Sequence, residues 1–147
     1  SSYTLAPVDS QKMITLEGAT AKFTTVGLYL KNAVVIRYRI SCADLNGVTV
    51  KIEAAGKTYE IEPGTAAFED LGDGTYYIYF DALQAKQMGE IVNATICRDG
   101  VAISNTLVYS IETYVAKNID KAGNSEVLKN LVKMMLYYGK SAAVYFA

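Results

Sequence analysis

The run Val34-Val35-Ile36-Arg37-Tyr38-Arg39-Ile40 sorts its side chains with a period of two. Val34, Ile36, Tyr38 and Ile40 fall on one face, and Val35, Arg37 and Arg39 fall on the other. Only an extended strand with one buried face separates residues this way, because successive strand side chains point to opposite sides. The same pattern recurs along the chain. Val48, Val50 and Ile52 alternate with Thr49, Lys51 and Glu53, while Tyr76, Ile78 and Phe80 alternate with Thr75, Tyr77 and Tyr79. Ala55-Gly56 separates the second of these runs from Lys57–Ile61, and Asp99-Gly100 separates Ile91–Arg98 from Val101–Ser110. Both dipeptides sit where a two-residue hairpin needs positive backbone angles. Weaker strands are expected at Tyr3–Ala6, Met13–Glu17 and Lys22–Leu30. About eight short strands with turn signals every ~8–12 residues predict an antiparallel β-sandwich.

After Ser110 the period changes. Leu128, Leu131, Met135, Tyr138, Ala142 and Tyr145 recur at spacings of three and four, which is a helical stripe. Asn124 or Ser125 can cap its N-terminus, with Glu126 in the first turn. A shorter helix is expected over Ile111–Asn118, ended at Ala122-Gly123. The predicted fold class is therefore mainly β, α+β by segregation: a sandwich over 1–110, then a short and a long C-terminal helix over 111–147 packed on one sheet. A chain of 147 residues with no linker or repeat reads as one domain. The long helix is apolar beyond its main stripe, at Met134, Leu136 and Phe146, so deep packing and contact with a neighbouring module are both open. Lys129, Lys133 and Lys140 interrupt it, which argues against membrane insertion.

Composition narrows the function. The chain has no histidine, so Ser-His-Asp and Cys-His catalysis and His-ligated metal sites are excluded. Its net charge of −1 offers no global attraction to nucleic acid. Cys42 and Cys97 are the two thiols; either a bridge closing a long loop or two small buried residues fits them, the latter being favoured. The chain opens Ser1-Ser2-Tyr3 with neither a basic nor an apolar leader pattern, as a piece of a longer protein would.

Carboxylates are the main acid–base groups left. Glu69, Asp70 and Asp73 cluster within Phe68–Gly74, whose two glycines and three acids read as a turn; a structural calcium at these three acids is the alternative, and otherwise no cofactor is expected. Asp44-Leu45-Asn46-Gly47 lacks the later ligands of a calcium loop and reads as an Asn-Gly turn. No phosphate loop, nucleophile elbow or Cys-x-x-Cys is present, so the chain is not expected to be an enzyme. Binding is better equipped. Of the 12 tyrosines, Tyr77 and Tyr79 share a strand face opposite the apolar set, as Arg37 and Arg39 do on another strand, and Tyr29 falls on the polar face of a third. Rings beside guanidinium groups can stack on sugars or protein surfaces, but the same pairs also stabilise sheets with no ligand.

Three segments carry a resemblance. Tyr76–Glu90 is similar to an aromatic alternation leading into A-K-x-M-x-D, with Glu90 at the final acid. Leu107–Tyr114 is similar to Y-S-v-x-x-Y. The ending through Met135-Leu136-Tyr137-Tyr138-Gly139 to Tyr145-Phe146 is similar to M-L-x-Y-G-x-x-A-Q-x-Y-F, with Ala143 at the Gln. In this order they resemble a module recurrent near the C-terminus of large secreted or surface proteins of gut clostridia, carbohydrate-active ones included. The resemblance implies an extracellular or cell-surface, non-catalytic accessory module. Its expected partners are a glycan or surface polymer, or neighbouring domains of the same polypeptide. The matching residues look like fold determinants: Met88 plugging one end of the sandwich, and Tyr109, Tyr114, Tyr138, Tyr145 and Phe146 anchoring helices on a sheet.

Overall fold

The computed structural model of the chain describes residues 3–7, 12–30, 34–84, 87 and 89–110. Among them are ten strands: β1 (Tyr3–Pro7), β2 (Lys12–Ile14), β3 (Ala21–Leu30), β4 (Val34–Cys42), β5 (Val48–Ala54), β6 (Lys57–Ile61), β7 (Phe68–Asp70), β8 (Thr75–Phe80), β9 (Ile91–Arg98) and β10 (Val101–Ser110). They form two five-stranded antiparallel sheets, ordered β1-β3-β4-β8-β7 and β2-β10-β9-β5-β6. The mainly β fold and its two antiparallel sheets follow the alternation in the sequence. The expected helices over 111–147 lie outside the described residues, as does Met88.

Period-two alternation becomes burial. Ile36, Tyr38 and Ile40 of β4 are fully buried, as are Val50 and Ile52 of β5 and Ile78 of β8, all on faces turned toward the opposite sheet. Each such side chain contributes roughly 1.5–3 kcal/mol through burial, so a one-residue slip of any of these strands would turn its whole apolar set outward. Tyr109, expected to anchor a helix, belongs to this inter-sheet core at 0 % exposure because β10 turns it inward with Leu107.

The turns follow their residues. Ala55 and Gly56 have φ of 52° and 75°, and Asp99 and Gly100 have 51° and 80°, so both hairpins carry the paired positive angles that twist antiparallel strands together. β10 contains a bulge between Ala102 and Thr106. Its buried Ser104 hydroxyl accepts from the Ile96 amide at 2.8 Å and donates to the Asn105 carbonyl, so the broken ladder leaves that amide satisfied.

Two expectations need correction. The second strand is shorter than expected, ending at Ile14. Phe68–Gly74 is not all turn: Phe68 is 6 % exposed and packs on Tyr76 with ring centroids 5.4 Å apart, which pins Phe68–Asp70 to β8 as an edge strand. Burial of one ring outweighs the local turn signal of the acids and glycines beside it. The two thiols are free and buried: Cys42 lies in the core, and Cys97 is covered near Lys51, Glu53 and Glu60 on the opposite sheet.

Candidate functional site

The outward residues of β4, β8 and β7 bring five of the candidate side chains together. Register sets Arg37 opposite Tyr79, and it sets Arg39, Tyr77 and Glu69 in one cross-strand row. The side chains then connect along the diagonals, which are within reach for long groups. The Arg37 guanidinium lies 3.9 Å from the centroid of the Tyr77 ring, and that of Arg39 lies 5.8 Å from it. Tyr77 and Tyr79 are tilted at 57° with centroids 6.2 Å apart. The Tyr79 hydroxyl donates to Glu69 Oε1 at 2.5 Å.

The turn between β7 and β8 supplies the far end. Asp73 accepts from the Thr75 amide at 3.1 Å and from the Thr75 hydroxyl. Arg39 Nη2 donates to Thr75 Oγ1 at 3.2 Å and lies 3.5 Å from Asp73 Oδ2. These hydrogen bonds, the Thr75 hydroxyl foremost, hold the Asp73 carboxyl below its ordinary range. The Tyr79 phenol is pushed up to about 12, first by desolvation and then by its bond to the Glu69 carboxylate; nearby Arg37 opposes the shift.

Exposure divides the face. Arg37, a candidate ligand-binding residue, is only 8 % exposed, and Gly27 beside it on β3 is buried as well. The Arg37 guanidinium therefore packs on the Tyr77 ring and is not itself presented to solvent. Tyr77, Tyr79 and Arg39 are half-buried, and Glu69, Asp70 and Asp73 are exposed. Tyr29 pairs with Tyr3 and Val35 through the backbone, and its side chain is outside those described. An open groove of about 550 Å³ lined by Glu53–Thr58 and Gly89–Ile91 lies on the second sheet, and no residue of the strip lines it.

The acids do not converge on one point. Glu69 faces Tyr79, Asp73 faces Thr75 and Arg39, and Asp70 Oδ1 accepts from the Gly72 amide at 2.7 Å. Among the described residues no group of three or more His, Cys, Asp or Glu could hold a metal ion. Two pairings escape a sequence reading: Thr75 bridges Arg39 and Asp73, and Glu69 is the partner of Tyr79. The first depends on β4 lying beside β8, and the second on β7 being a strand, which no periodicity in a three-residue segment can signal.

The strip holds two tyrosine rings, a guanidinium and a carboxylate in fixed relative positions. Compared with protein-family models, curated proteins and solved structures, the chain matches none.

Proposed function

We propose that this chain is a non-catalytic extracellular accessory module of a multidomain surface or secreted protein, and that it binds carbohydrate or a surface polymer through Tyr77, Tyr79, Arg39 and Glu69. The observation that carries the reading is the pre-positioned strip. Tyr77 is held by two guanidinium groups and Tyr79 by a carboxylate, so a ligand meets aromatic surface whose rotamers are already restricted. The motifs at Tyr76–Glu90, Leu107–Tyr114 and Leu128–Phe146 support the accessory-module part and its place outside the cell. Affinity electrophoresis against starch, xylan, mucin and cellulose is the test. At least one polymer is expected to retard the protein, and Tyr77→Ala together with Tyr79→Ala to remove the retardation without loss of folding. Retardation by none of the four sinks the proposal.

A specific observation favours a second reading, a structural spacer that docks neighbouring domains. Arg37 and Arg39 of β4 stand opposite Tyr79 and Tyr77 of β8, and such cross-strand pairs stabilise a sheet with no ligand. On this reading the strip is a cross-strand ladder that stiffens the sheet, and removing its rings lowers the melting temperature with no polymer affected.

A further inference from the structure

We infer that the ligand of the Tyr77–Tyr79 strip is a neutral, hydroxyl-rich glycan and not an anionic polymer. The inference rests on the carbohydrate reading of the same strip and follows from how its charges are spent. Two arginines stand against three carboxylates: Arg37 and Arg39 against Glu69, Asp70 and Asp73. Arg37 is buried beside the Tyr77 ring, and Arg39 lies against Asp73 and Thr75. Among the described residues of the strip, an incoming carboxylate or sulfate would find Arg37 buried and the charge of Arg39 already offset by Asp73. It would also approach three exposed acids of its own sign.

Hydrogen-bonding capacity, in contrast, is left over with both polarities. Glu69 Oε1 takes the Tyr79 hydroxyl, while Oε2 has no partner among the described residues. Arg39 engages Asp73 and Thr75 through Nη2, leaving its other N–H groups without partners there. Acceptor and donor flank Tyr77 in one cross-strand row, about 10 Å apart at the backbone for strands ~4.8 Å apart. Sugar hydroxyls both donate and accept, so a neutral ring over this row can satisfy both sides, whereas an anionic group can only accept.

The test is native affinity electrophoresis of the full 147-residue chain. Neutral xylan, starch and mannan are set against polygalacturonate and heparin, with sodium chloride raised from about 0.05 to about 0.5 M. Retardation by a neutral polymer is expected, changing less than about twofold with salt and weakening at least about tenfold in Glu69→Gln. Arg39→Gln is the second variant, and melting curves confirm that both fold. Stronger, salt-sensitive binding to polygalacturonate or heparin overturns the neutral class while leaving a carbohydrate module in place. Neutral binding that neither variant weakens overturns the assignment of the row. Binding to no polymer overturns the inference and the carbohydrate reading together.

Discussion

The hydroxyl of Tyr79 on β8 donates to the Glu69 carboxylate on β7 at 2.5 Å, a diagonal bond between neighbouring strands. It ties a half-buried ring to the short edge of the first sheet and, after desolvation, is the next cause that pushes the phenol pKa up to about 12. In an unfolded chain that phenol ionises near 10.0. A group whose folded pKa is raised contributes stability in full below its unfolded value and loses it as pH rises. Stability is therefore expected to fall between pH 10 and about 12, and Tyr79→Phe to lessen that fall. Alkaline titration of the tyrosinate absorbance, wild type minus variant, reads it directly. A difference spectrum centred near pH 10 would contradict the raised phenol pKa.

Tyr38 is completely buried, and its hydroxyl has no hydrogen-bond partner among the described residues. Burial pushes its pKa far above the ordinary phenol range, so it stays neutral. An unpaired buried hydroxyl costs roughly 1–3 kcal/mol. Tyr38→Phe keeps the ring contact with Phe23, at a centroid distance of 5.5 Å, and is expected to raise stability by about 1 kcal/mol in urea unfolding. A loss of stability would reveal a partner for the hydroxyl.

Arg37 and Arg39 are two residues apart on the same strand face yet are expected to respond differently. Arg37 is 8 % exposed and 3.9 Å from the Tyr77 ring centroid, whereas the Arg39 side chain is 37 % exposed and 5.8 Å away. Arg37→Ala should lower stability by about 2 kcal/mol and Arg39→Ala by less than about 1 kcal/mol. Equal losses in paired denaturant titrations would show that burial does not separate them.

Gly47 and Gly56 offer a comparison of strain with and without collision. Both have positive φ, 69° and 75°. A Cβ at Gly56 meets nothing within 4 Å, while one at Gly47 collides with the Asp99 carboxylate, whose Cγ is 3.0 Å away. Gly56→Ala is expected to cost about 1 kcal/mol, and Gly47→Ala a few tenths of a kcal/mol more, because the exposed Asp99 side chain has to turn away from the new Cβ. Thermal melts of the two variants give the ranking.

Cys42 and Cys97 are buried free thiols, and burial pushes the Cys97 thiol upward. Thiol reagents are expected to label both slowly in the native protein and fully after denaturation, with reducing agent leaving the melting temperature unchanged. A melting temperature that falls on reduction would mean the cysteines are bridged.

Much of the fold is legible in the sequence. The faces of β4, β5 and β8 follow from alternation alone, and the hairpins from Ala55-Gly56 and Asp99-Gly100. Such signals are local: a strand repeats every two residues, and a two-residue turn needs particular backbone angles at adjacent positions. The co-location of Arg37, Arg39, Tyr77 and Tyr79 is only half legible. Their outward phase can be read from each strand, but their adjacency requires β4 to pair with β8 across 34 or more residues.

The sequence by itself determined which side of each long strand is buried, because a period of two leaves only one apolar face to hide. Tertiary structure alone decided that Phe68–Asp70 is a strand, that Glu69 meets Tyr79, and that Arg37 is covered while Arg39 stays open. Each of these depends on sheet order and on a ring packed from another strand. The energy that settles them comes from contacts between residues distant in the chain, which no local period encodes.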